Sequence, residues 1–155
     1  MKRIICLGSH QGADSAAWLL ADALVARLPK HRAPDRVAAT GADMGAVGGF
    51  EVLLCASPAQ MLGLFAGAEA VAIIDAAPQL PAGTLQRVDM DELRQDGAWS
   101  SHGLDLITVL KLAQTLGDMP ARCVLLGLGV GSVDADPHSA VSAALPDVLD
   151  ELTRL

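Results

Sequence analysis

The stretch "AVAIIDA" (residues 70–76) constrains the fold more than any other part of the chain. An unbroken, β-branched apolar run of this length predicts a strand buried on both faces, as in a parallel sheet covered by helices. The run ends in a carboxylate, Asp75. A charged group in that position must leave the core into a loop, be paired, or bind something. An Asp that caps the following turn is one reading, and a ligand-binding Asp is the other.

The remaining pattern supplies the partners for such a strand. "RIICLG" (3–8) predicts a buried strand stopping at Gly8, and "DSAAWLLADALVARL" (14–28) a helix capped by Asp14 or Ser15 and ended by Pro29. Trp18, Leu19, Ala23, Ala26 and Leu28 would form its apolar face. Residues 30–49 mix charge, proline and glycine. They predict loop, with a short strand at Val37–Thr40. "FEVLLCA" (50–56) predicts a strand, and "SPAQMLGLFAG" (57–67) a helix with Ser57 at the cap and Pro58 at its first position. A short strand follows at 84–88, and "MDELRQDGAW" (90–99) predicts surface loop or a single turn. "LDLITVLKLAQTL" (104–116) predicts a helix burying Leu106, Val109, Leu110, Ala113 and Leu116. "ARCVLLGLGV" (121–130) predicts a buried strand. A closing helix is expected from about Ser139, with Pro146 near its first turns or kinking it. Alternation of strands and helices predicts an α/β three-layer sandwich: a mostly parallel twisted sheet of about five strands with helices on both faces. The 155 residues suit one domain, 1–155.

Composition narrows the function. Hydrophobic residues reach 52% with only two Trp, two Phe and no Tyr, so Ala, Leu and Val must build the core. A net charge of −7 with no basic run argues against nucleic acid and anionic membrane surfaces. No apolar run approaches the ~20 residues of a membrane helix, and the N-terminus does not read as a signal peptide. A cytoplasmic protein is expected. Cys6, Cys55 and Cys123 each lie in an apolar run and read as buried reduced thiols.

In a sheet of this kind sites form beyond the carboxyl ends of the strands. His10, Gln11, Gly12 and Asp14 follow the first strand, Asp75 ends the central one, and His102 follows the next loop. Asp14 and His102 both have a capping explanation. As a set, two carboxylates and an imidazole are ligands for Zn, Ni, Fe or similar divalent ions. A helix start beside His102 disfavours its protonated form and keeps it a competent ligand. "GSHQG" (8–12) lacks both standard phosphate-loop patterns, so a nucleotide-binding domain ranks last. "GLGVGS" (127–132) reads as a strand end and turn, and His138 as part of an exposed loop. No GxSxG elbow is present, and no cysteine has an activating histidine neighbour.

The order of parts resembles the [NiFe]-hydrogenase maturation endopeptidases over nearly the whole chain. The resemblance rests on "CLGSHQGADSAAWLLADAL", on "AVAIIDAAPQLPAGTL" and above all on "SSHGLDLITVLKLAQTLGDMPARCVLLGLGV". It implies an aspartyl-type endopeptidase that removes a C-terminal extension from the hydrogenase large-subunit precursor after nickel insertion. It also implies that Asp14, Asp75 and His102 bind or recognise the metal and carry catalysis. The nickel would be carried by the precursor, with zinc or cadmium as a stand-in in a crystal. The chain departs from the family pattern at Ser9, where many members have Asn. It departs again at Ala13 and Ser15, which leave Asp14 alone where the family has an acidic pair. The family's glycine-rich tail-handling motif is replaced by "LLCASPAQ", with the glycine-rich 41–49 stretch upstream. The alternative is therefore a non-catalytic, metal-dependent binder or chaperone of the immature large subunit.

Overall fold

A computed structural model describes residues 1–27, 42–47, 49–88 and 103–155. Its centre is a six-stranded sheet in the order β2-β3-β1-β4-β6-β5. The strands are β1 (Lys2–Leu7), β2 (Ala42–Val47), β3 (Phe50–Cys55), β4 (Ala70–Ala77), β5 (Leu85–Val88) and β6 (Arg122–Gly129). The inner four run parallel, whereas β2 and β5 close the two edges antiparallel. The helices are α1 (Ala16–Arg27), α2 (Leu62–Phe65), α3 (Gly103–Leu116) and α4 (Pro137–Thr153).

Every residue of β4 is buried, as a strand covered on both faces requires. Alternate side chains of the inner strands feed two separate cores. Ile4, Cys6, Ala72, Ile74, Val124 and Leu126 pack under α1 and α4. Ile5, Leu7, Val71, Ile73 and Leu125 pack under α2 and α3. The three-layer α/β reading therefore holds. The sixth strand is β2, in the glycine-rich stretch expected to be loop. Its backbone pairs with β3 with an irregularity between Asp43 and Gly45, the kind of interruption glycine permits at a sheet edge. The strand expected at Val37–Thr40 and the loop expected at 90–99 lie outside the described residues.

Two helix faces differ from expectation. In α1 the buried residues are Ala16, Ala17, Leu20, Ala21 and Leu24. Trp18, Leu19 and Ala23 are only half-buried, Ala26 is exposed, and Leu28 lies outside the described residues. The three buried alanines, Ala16, Ala17 and Ala21, present a flat surface that lets the helix pack close to the sheet, so the bulkier stripe is displaced to the flank. In α3 the expected face holds at Leu106, Val109, Leu110 and Ala113, but Leu116 is 59% exposed because the helix ends there, at the turn made by Gly117 (φ 79°). The closing helix starts at Pro137, with Asp136 accepting a cap hydrogen bond from the His138 amide (3.1 Å). His138 thus belongs to the first turn of α4 rather than to a loop, and Pro146 falls inside the helix.

Candidate active site

Chain direction places the site before any side chain is considered. From β1 the chain leaves through α1 toward β3 and its edge partner β2. From β4, the strand adjoining β1 on the other side, it leaves toward β5 and β6. Connections departing in opposite directions from two adjacent parallel strands open a crevice beyond their carboxyl ends. The first expected carboxylate lies on the exit from β1 and the second within β4.

Asp75 is fully buried, the one buried charged side chain among the described residues. Its strand runs two residues past it, to Ala77, one beyond the expected end, so the carboxylate stands inside the ladder rather than at its end. It pairs in register with Leu7, the last residue of β1, and with Gly127 of β6. By strand alternation it shares the face of Val71 and Ile73, the face covered by α2 and α3. A strap fixes the chain beyond it: the amides of Val130 and Gly131 donate to the carbonyls of Ala77 and Leu80, and that of Gly83 to the carbonyl of Gly129.

Asp14 sits in a single 3₁₀ turn, Gly12–Ser15, between β1 and α1, and that turn packs against β4. Ser15 does not cap α1; its hydroxyl donates back to the Gly12 carbonyl (2.7 Å). The turn is tied to the end of β1 by the Ser9 amide, which donates to the Asp14 carbonyl (3.2 Å). Gly8 makes this possible, because a Cβ there would lie 2.3 Å from the Asp14 carbonyl oxygen. Oδ1 of Asp14 and Oδ2 of Asp75 are both buried. The fold thus brings the segments of both expected carboxylates to one crevice.

The third expected residue, His102, lies outside the described residues. It precedes Gly103, the first residue of α3. The short connection 117–121 returns the chain from the end of α3 to the start of β6, so α3 runs antiparallel to β6 and begins toward the carboxyl rim. Among the described residues no group of three His, Cys, Asp or Glu side chains is placed to hold a metal.

The cysteines offer no nucleophile. All three are free, and burial pushes the Cys6 thiol up to about 12, aided by the charge of Asp22. Burial likewise raises Cys55 and Cys123 to about 11 each, in Cys55 against the lowering effect of its hydrogen bond to the Ser57 carbonyl. These thiols stay protonated at neutral pH, where attack needs the thiolate. The glycines beside the carboxylates escaped the sequence reading. The sequence marks Gly8 as a strand stop and loop residue and 127–132 as a strand end and turn, but close backbone approach leaves no periodic signal.

The model of the hydrogenase maturation protease family matches residues 55–155. The chain belongs to this family. It is therefore a peptidase, and its family processes nickel-containing hydrogenase large-subunit precursors. Solved maturation proteases share the fold over almost their full length. The hydrogenase maturating endopeptidase HybD from E. coli has a TM-score of 0.68 at 23% identity, covering 99% of this chain and 92% of that one. The [NiFe] hydrogenase maturation protease HybD from Thermococcus kodakarensis has the same TM-score at 18% identity, covering 99% and 97%. The maturation protease HycI from T. kodakarensis KOD1 has a TM-score of 0.62 at 21% identity, covering 99% and 92%. No curated protein matches the sequence. In this maturation protease the family match includes Asp75 and position 102, while Asp14 precedes it. No described helix is long and apolar enough to cross a membrane.

Proposed function

We propose that this maturation protease, acting as a single cytoplasmic domain over 1–155, removes a C-terminal extension from the precursor of a nickel-iron hydrogenase large subunit after nickel insertion, with Asp14, Asp75 and His102 recognising the metal and supporting hydrolysis. The observation that carries the reading is Asp75: a fully buried carboxylate at the crevice between β1 and β4, with the turn bearing Asp14 packed against the same strand. A fold retains such a group at the cost of desolvation, and functional sites are where that cost is tolerated. The donor set suits nickel in the precursor, and equally a zinc or cadmium ion supplied in its place.

When bound, a divalent ion supplies Lewis-acid polarisation of the scissile carbonyl. The chain's own contribution is positional. Asp75 is fixed by β4 and its two neighbouring strands, and Asp14 by the Ser9–Asp14 hydrogen bond. A carboxylate held away from bulk water can take a proton from attacking water and pass it to the leaving amine. With the thiols protonated, water is the nucleophile this site favours.

The test is to replace Asp14, Asp75 and His102 singly with Ala and weigh the product of nickel-loaded precursor by mass spectrometry. Loss of cleavage in each, with far-UV circular dichroism unchanged, is expected. Normal processing by all three variants would reject the site. Binding of the precursor by the wild-type chain without cleavage would instead establish the chaperone reading.

A further inference from the structure

On the opposite face of the sheet from Asp75, a cleft of about 250 Å³ opens beside α1. Trp18, Leu19 and Leu54 give it apolar walls, Asp22 brings a carboxylate to it, and His10, His138 and the two serines at the Asp14 turn, Ser9 and Ser15, complete its lining. The Trp18 indole is held in place, donating from Nε1 to the Cys6 carbonyl (3.2 Å) and meeting the His10 ring edge-on at 4.6 Å between centroids. His138 Nδ1 stands 3.0 Å from Asp136 Oδ1. With Nδ1 donating to that carboxylate, Nε2 is left as a hydrogen-bond acceptor. Among the described residues no Lys or Arg lines the cleft, and no ion pair includes Asp22.

The chemistry of this cleft selects its occupant. It is smaller than the ~300–1,000 Å³ typical of small-molecule sites and suits one long side chain. Apolar and aromatic walls receive a methylene stem, while a carboxylate and an imidazole acceptor receive a cationic head. An acidic chain, at net charge −7, also favours a basic partner surface. We propose that this cleft is a docking site for a Lys or Arg side chain on the folded body of the precursor, adjoining the Asp14 turn on the far side of the sheet from Asp75. The proposal rests on the precursor being the partner, as argued above, but not on cleavage itself.

The experiment compares wild type, Asp22→Asn, Asp22→Lys and Asp22→Glu on nickel-loaded precursor, with binding measured by calorimetry alongside steady-state processing. Asp22 is exposed on α1, and Asp22→Asn keeps the fold-neutral reference. Asp22→Lys is expected to weaken binding and raise KM about tenfold or more, Asp22→Asn less, with kcat within about twofold and Asp22→Glu near wild type. The weakening should persist on precursor lacking its extension. Unchanged binding in both Asn and Lys variants overturns the docking site, and a penalty that vanishes on the shortened precursor overturns its assignment to the folded body. If the wild type binds but does not cleave, the hydrolytic reading fails while the Asp22 comparison still decides the cleft.

Discussion

Gly8→Ala tests the link between backbone packing and the site. The new Cβ would lie 2.3 Å from the Asp14 carbonyl oxygen and 3.5 Å from Cδ1 of Trp18. Contacts below 3.0 Å do not persist, so the turn carrying Asp14 must retreat by at least about 0.7 Å, the gap between 2.3 and 3.0 Å. The obstacle is backbone, not the tip of a flexible side chain, and retreat stretches the hydrogen bond from the Ser9 amide to the Asp14 carbonyl, now 3.2 Å. Overpacking of this kind costs about 1–3 kcal/mol. In a chain of this size each kcal/mol lowers Tm by roughly 2–4 °C. A misplacement near 1 Å at a catalytic group costs on the order of 10²-fold in rate. The expected result is a moderate fall in Tm with a loss of about two orders of magnitude in kcat/KM on nickel-loaded precursor. Gly117→Ala is the control: its φ of 79° makes alanine strained, and nothing stands within 4 Å of the added Cβ. It should cost about 1–2 kcal/mol of stability and leave processing intact. Processing by Gly8→Ala within twofold of wild type, or an equal loss in Gly117→Ala, would refute the claim that Gly8 seats a functional Asp14.

Three further outcomes follow from the packing. Because burial raises Cys6 to about 12 and Cys55 and Cys123 to about 11, the unfolded chain loses these protons first as pH climbs past 9.0. Stability from the thiols is complete below pH 9 and is lost toward pH 11–12, so the urea midpoint should fall across pH 9–10.5, and less steeply in the triple Cys→Ala variant. Arg3 donates from Nε to Glu51 (2.6 Å) and from one terminal nitrogen to the carbonyls of Leu64 and Ala66 (2.8 Å each). Arg3→Met should cost about 2 kcal/mol by denaturant titration, with part recovered when Glu51→Gln is added. Pro146 lies inside α4 and is exposed. Pro146→Ala should restore a helix hydrogen bond and raise stability by about 1 kcal/mol or more, read as a higher Tm.

What the sequence made legible follows from which interactions are periodic. Burial on both faces leaves an uninterrupted apolar run, so β1, β4 and β6 could be read within a residue or two of their ends. Once those strands alternate with helices, the carboxyl rim follows, and with it the neighbourhood of Asp14 and Asp75. An edge strand obeys no such rule. The backbone of β2 pairs on one side only, through Ala42, Asp43, Gly45, Ala46 and Val47, of which Val47 alone carries a β signature. The face of α1 was misread for a related reason. Burial there follows closeness of approach, which favours Ala16, Ala17 and Ala21, whereas hydrophobicity gives most weight to Trp18 and Leu19. The site shows the same division. A carboxylate interrupting "AVAIIDA" is conspicuous because it is costly. The glycine at position 8 that holds the other carboxylate's turn against the end of β1 is silent, since its contribution is the absence of an atom.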